Sequence, residues 1–204
     1  ALPSFIKSFI AEAISGSYKP SISAPSKAEG PCIELSPVNS LSLLVMSFNA
    51  FISDLVAKEL CEQTGGSVLA VPCDVRHYDQ VEALVKKACQ AYGSVDVLVN
   101  NAAGNFISPT KDLSAKGFDA IANIVFHGTF YVTHAVGKKW LEHQIKGSII
   151  SILATWVWTG SPFVVPSAMS KSALNTMTKS LAVEWGPYGI RVNAIAPGPF
   201  PTEG

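Results

Sequence analysis

No stretch of this chain approaches the roughly 18 uninterrupted apolar residues of a membrane-spanning helix, so a soluble protein is expected. An excess charge of either sign is missing too. Fifteen basic residues face fifteen acidic ones, and the isoelectric point is near 7.1. Nucleic acid and anionic membrane surfaces are therefore not expected as main partners. Cysteine is sparse: Cys32, Cys61, Cys73 and Cys89 show no Cys-x-x-Cys spacing and are read as reduced, mostly buried thiols. His77, His127, His134 and His143 are scattered without ligand spacing, so no metal site is expected and surface or structural roles are favoured. Arginine is absent before Arg76, and Glu12, Glu29 and Glu34 interrupt the Ser- and Pro-rich start, so a transit peptide is only weakly indicated.

What is present is apolar content, 48% of 204 residues, enough for one well-buried α/β domain. From about Phe51 the pattern alternates. Helices are expected over 51–63, 79–92, 113–140 (in two pieces) and 167–185, and strands over 68–71, 95–99, 148–153 and 191–196. The apolar stripe of the last helix is read as Met169, Ala173, Leu174, Met177, Leu181 and Trp185. Such alternation implies βα units on a parallel sheet, a single doubly wound Rossmann-type fold. Pro3, Pro20, Pro25, Pro31 and Pro37 break this order in residues 1–50, where only Leu41 to Phe48 suits a strand. The domain is therefore read as 51–204, with 1–50 an atypical segment in place of the first βα unit.

The run Val95 to Val99 leads straight into Asn100-Asn101-Ala102-Ala103-Gly104-Asn105-Phe106. Amides and tiny side chains at the end of a buried strand leave bare backbone against which a flat cofactor can lie. This motif resembles the short-chain dehydrogenases/reductases, whose fourth strand ends in Asn-Asn-Ala-Gly. Its longer form is similar to the 2,4-dienoyl-CoA reductase branch, mitochondrial type. The resemblance covers about Asp54 to Gly204 and includes Gly160-Ser161, Phe163 to Ala168 and Leu181 to Pro199.

The resemblance implies roles residue by residue. Ser167 and Lys171, four apart on one helix face, match Ser-x-x-x-Lys, the branch's replacement for the superfamily's Tyr-x-x-x-Lys, with Lys171 on the nicotinamide ribose. The superfamily's catalytic serine falls on Ala154, which counts against carbonyl reduction because an alkoxide forming there needs an acid. In a conjugated dienoyl thioester the charge moves instead to the thioester oxygen, which needs hydrogen-bond donors. Asn105 matches one donor; the position of the second, a tyrosine eleven residues before Ser167, holds Trp156. Indole N–H can donate but supplies no acidic proton. Asp74, with Val75, matches the adenine contact, and Asn101, Ala102, Ala103 and Gly104 frame the cofactor. Pro197, Gly198, Pro199, Phe200 and Thr202 match the Pro-Gly-x-x-x-Thr contact to the nicotinamide amide and phosphate. Arg76, Phe106 and Ser114 match acyl-CoA contacts. From the residues alone other roles stay open. Asn100-Asn101 can be turn amides, Ser167 a helix N-cap, Trp156 and Trp158 hydrophobic wall, and Arg76 a solvent-facing salt-bridge residue.

Three family features are not matched. The phosphate-holding Thr-Gly-x-x-x-Gly-x-Gly should fall near residues 22–30, where only Gly30 remains and Pro25 removes a donor. The second-strand arginine selecting the 2′-phosphate should fall near Phe48 and is absent. Family members also continue beyond the position of Gly204 into lid helices, a last strand and a subunit interface, so the C-terminal part is read as truncated. A fragment, a divergent isoform and an out-of-register N-terminus all fit.

The implied function is NADPH-dependent reduction of 2,4-dienoyl-CoA to 3-enoyl-CoA in the oxidation of unsaturated fatty acids. The expected cofactor is NADP and the expected partner an acyl-CoA substrate. A homotetramer is expected where the family's full C-terminal part is present. The mitochondrial matrix is the favoured compartment, with a peroxisome or a bacterial cytoplasm as alternatives. The alternative functions are a catalytically silent relative acting by protein contacts and another oxidoreductase of the superfamily such as a 3-oxoacyl reductase.

Overall fold

The structure is a computed structural model that describes residues 43–46, 61–62 and 67–198. Its centre is one parallel sheet of β1 (Leu43–Met46), β2 (Val97–Asn100), β3 (Ser148–Ile152) and β4 (Arg191–Ile195), in chain order. The ladder runs in register through Met46, Asn100, Ser151 and Ala194. Parallel pairing demands a long crossover between successive strands. The helices that supply them are α1 (Tyr78–Tyr92), α2 (Ala115–Ala122), α3 (Thr129–His143), α4 (Trp156–Thr159) and α5 (Val165–Trp185). None of the described helices is long and apolar enough to cross a membrane.

The expected periodicities are met where they are strong. Helix α1 buries Val81, Leu84, Val85 and Ala88, the four residues its apolar face predicts. The two expected pieces of 113–140 are α2 and α3, joined by a π-helical turn over Asn123–Gly128. A side chain on Gly128 would stand 2.6 Å from the Val75 side chain, so that residue lets the turn pass close to the chain entering α1. Helix α5 buries Leu174 and Trp185 as predicted, but Met169 is 56% exposed and does not belong to the apolar stripe. The reason is phase: the helix is laid on the sheet by Ser167, Ala168, Ser170, Lys171, Leu174 and Thr178, a largely small and polar face that the hydrophobic pattern does not reveal.

Two strand expectations change. Residues 68–71 form no strand, although Val71 packs against the core. Among the described strands β1 has no second neighbour that could pair with them, and Pro72 has no N–H to give a ladder. The second is the strand that runs toward Phe48. Counting at family spacing put the second-strand arginine there, yet β1 lies directly against β2. That is the slot beside the fourth strand which the first strand occupies in a doubly wound sheet. Residues 22–30, Phe48 and most of the expected 51–63 helix lie outside the described residues.

Large aromatics close the base of the core. Trp140 is 1% exposed and donates its indole N–H to the Val95 carbonyl at 2.5 Å. A Cβ on Gly137 would sit 2.3 Å from the buried Trp185 ring, so α3 meets Trp185 backbone to ring. Gly137→Ala is therefore expected to destabilise the protein. Overpacking costs roughly 1–3 kcal/mol, against a helix-propensity gain of about 1 kcal/mol. Urea unfolding with an unchanged or higher midpoint would refute this contact.

Candidate active site at the carboxyl ends of the strands

Strands β2, β3 and β4 all release their loops at the same end of the sheet, where ligand crevices of open parallel sheets form. Asn101 follows β2, and Pro197 comes shortly after β4. Strand β3 lies between them and supplies the middle of the site.

The last residue of β2, Asn100, is 4% exposed, and its amide group donates to Thr133 Oγ1 of α3 at 2.9 Å and to Ser151 Oγ of β3 at 3.3 Å. It therefore stitches two strands to a helix and is more than a turn amide. Its Oδ1 is buried with no hydrogen-bond partner among the described residues. Thr133 and Ser151 were missed by sequence reasoning. A serine in the apolar run of β3 was the available signal for one; nothing in the sequence flags Thr133.

Beyond Asn100 the chain carries half-buried Asn101, buried Ala102, exposed Ala103 and half-buried Gly104, then exposed Asn105 and Phe106. Small residues fit here because the loop passes over α2 and the π-helical turn. A Cβ on Gly104 would already lie 3.4 Å from Ile124 and 3.6 Å from Ile121. Ser114, matched to the acyl-CoA site, caps α2 by accepting from the Gly117 N–H at 3.0 Å, which leaves its own O–H free to donate.

Lys171 lies two turns into α5 and is 6% exposed, and its Nζ donates to the Ile152 carbonyl at the end of β3. Burial pushes its pKa down to about 8. Ser167 sits one turn earlier and is 4% exposed. It is not the helix N-cap, because α5 begins at Val165 after Val164, with Pro166 in the first turn where its missing N–H is harmless. Ser167 therefore faces inward beside Lys171. Trp156 opens α4 half-buried, and Trp158 is 69% exposed, so the two tryptophans do not share one wall.

Asp74 and Arg76 hold each other. The Arg76 guanidinium donates from Nε to Asp74 Oδ1 at 2.9 Å and from NH2 to Oδ2 at 2.6 Å. This hydrogen bonding holds the Asp74 pKa at about 2. Arg76 is thus the surface salt-bridge residue that its sequence context allowed, and Val75 between them is core, 2% exposed. Adenine or a CoA phosphate would have to share or break this pair. Cys61, Cys73 and Cys89 are free and half-buried, with burial raising the Cys73 thiol. The four histidines are exposed, and no metal-holding cluster occurs among the described residues. Pro197 is half-buried and Gly198 exposed; Pro199, Phe200 and Thr202 lie outside the described residues.

A family model described as short chain dehydrogenase matches residues 40–204. The chain belongs to the short-chain dehydrogenase family. Its similarity falls in the 2,4-dienoyl-CoA reductase branch. It is 44% identical over 149 residues to a probable 2,4-dienoyl-CoA reductase, (3E)-enoyl-CoA-producing, of Caenorhabditis elegans, covering 72% of this chain and 48% of that protein. It is 42% identical over 140 residues to a probable (2E)-enoyl-CoA-producing 2,4-dienoyl-CoA reductase of Bacillus subtilis, covering 68% and 55%. A short chain dehydrogenase from Bacillus anthracis superposes with a TM-score of 0.69 at 43% identity, covering 77% of this chain and 63% of that one. The chain thus spans about half the length of the curated relatives it matches.

The residues present fit the nicotinamide end of a dinucleotide: bare backbone at 102–104, a buried amide with a spare acceptor, and an ammonium with two N–H groups beyond the one given to Ile152. Burying that ammonium has a pH signature. Below about pH 8 Lys171 is charged in both folded and unfolded states, and the cost of burial stands in full. Between about 8 and its ordinary 10.5 the unfolded chain binds a proton that the folded chain has released, so folded stability rises with pH. The stability of Lys171→Met relative to wild type should accordingly fall by on the order of 3 kcal/mol between neutral pH and pH 10.5. Urea denaturation of both proteins across that range would show it, and a pH-independent difference would rule out a buried charge.

Proposed function

We propose that this chain carries the nicotinamide and acyl-thioester part of an NADPH-dependent 2,4-dienoyl-CoA reductase producing a 3-enoyl-CoA. One observation carries the proposal. The buried Lys171 stands at the carboxyl end of β3 with a serine, not a tyrosine, one turn before it. A site with no phenol there, and with Ala154 in the catalytic-serine position, lacks an acid for an alkoxide. It suits an acceptor that spreads its charge away from the reacting carbon.

Lys171 would hold the nicotinamide ribose hydroxyls, and the Asn101–Gly104 backbone with Pro197 and Gly198 would bound the ring. Bound NADPH would supply a hydride. The chain's own work is then positioning and charge stabilisation. Asn105, exposed on the loop after β2, offers its amide N–H to the thioester oxygen as that oxygen gains charge. Trp156, at the start of α4, offers an indole N–H from the loop after β3. Neither group has a proton to give up at neutral pH, so the carbon is protonated by water. Phe106, Ser114 and Arg76 would receive the acyl-CoA, and for Arg76 this requires release from Asp74.

In a steady-state assay of the full chain with NADPH and a 2,4-dienoyl-CoA, Asn105→Ala is expected to lower kcat roughly a hundredfold, the scale of losing one oxyanion donor. Trp156→Tyr should raise kcat by restoring a phenol opposite Asn105, whereas Ser167→Tyr should not help. If Ser167→Tyr instead gains turnover of a 3-oxoacyl substrate while Trp156→Tyr is inert, the site is that of a carbonyl reductase.

A further inference from the structure

The loops leaving β2 and β3 share a property that the chemistry above does not use. Residues 101–109 and 153–164 contain no charged side chain and no histidine, in a chain that is 15% charged. They nevertheless expose large apolar groups: Ile107 is 82% exposed, Trp158 69% and Phe163 51%. The loops meet, because the Ser108 N–H donates to the Phe163 carbonyl at 2.9 Å.

Phe163 also holds a φ of +64°, a region that a residue with a Cβ enters at a cost and glycine enters freely. Its ring stays half in water, so burial does not offset that cost within the described residues. Strain of this kind at the mouth of a crevice is a pointer to ligand contact.

We propose that Ile107, Trp158 and Phe163 form an apolar track at the mouth of the crevice that grips the alkyl chain of the acyl substrate beyond its conjugated diene, making the protein selective for long chains. The proposal rests on the acyl-CoA assignment of the same crevice. Continuity and charge decide the occupant. The three side chains lie on the two loops that carry Asn105 and Trp156, so the track continues from the groups assigned to the thioester. With no charge on either loop, a methylene chain is matched and a polar or ionic tail is not.

The test uses the full chain, a short (hexadienoyl) and a long (tetradecadienoyl) CoA substrate for turnover, and hexanoyl- and myristoyl-CoA for calorimetric binding. Each methylene moved fully from water to apolar surface is worth about fourfold in affinity, so partial contact along the track should favour the long ligand at least about tenfold. Trp158→Ser, Ile107→Ser and Phe163→Gly should each erode that preference by raising KM and Kd for the long ligand. The short ligand and kcat should change by less than about twofold. Phe163→Gly serves as the folding control: it removes the strained Cβ, so its thermal midpoint should hold or rise while the long-chain preference falls. Equal losses on both ligands, or a preference untouched by all three substitutions, would overturn the track. So would a dimer that dissociates on Trp158→Ser, because a second copy would then be the occupant. If wild type binds myristoyl-CoA preferentially, and the variants abolish this, yet no dienoyl-CoA is reduced, the track stands and the reductase assignment fails. Reduction of both dienoyl substrates without length preference has the opposite meaning.

Discussion

The side-chain amide of Asn100 is the constraint on which the working end of this structure depends. A parallel sheet has no tight turn to hold its strand ends together, and each strand is joined to the next only through a long crossover. Here one buried amide donates to Ser151 on the adjacent strand and Thr133 on the covering helix. The partners are hydroxyls, so the junction adds no buried charge. Leaving such a buried donor unpaired would cost about 1–3 kcal/mol, which is why strand ends and helix keep this arrangement together. The loops that follow inherit a fixed starting point, and Asn101 to Phe106 can be small, uncharged and close-lying without losing register.

Opposite demands meet one strand further along. Lys171 is placed where its ammonium is poorly solvated, held by the Ile152 carbonyl and backed by Ser167 and Ala168. Folding alone would favour an apolar residue there, because a single carbonyl does not replace a hydration shell. The small face of α5 packs on β4, and from there the Lys171 side chain reaches the end of β3. Stability is traded for a cation fixed at the strand end, the kind of local cost that marks a candidate functional position. The Asp74–Arg76 pair differs in kind. It is partly exposed and screened, so it contributes little to stability, and a ligand that called on either partner would have to displace the other.

Much of this was legible beforehand because it depends on local chemistry. The period of 79–92, the β-branched run of β3 and the amides after β2 each report themselves within a few residues, and the structure follows them closely. Expectations that changed depended on neighbours distant in sequence. Residues 68–71 look like a strand but find no partner among the described strands, and Ser167 looks like a cap but the helix starts two residues earlier. Met169 looks like core, yet α5 is turned so that its small and polar residues meet the sheet.

The sequence by itself determined the family, the parallel α/β class and the identity of Lys171, Asn105 and Ser167 as the residues to watch, since motif spacing and hydrophobic period are properties of the chain alone. Only the tertiary structure decided that β1 lies against β2, that Asn100 is a buried joint between Thr133 and Ser151, that Arg76 is held by Asp74, and that Phe163 is strained at the mouth of the crevice. Those are facts about which segments meet, and meeting is settled by burial and hydrogen-bond satisfaction summed over the whole domain, which no local stretch of residues encodes.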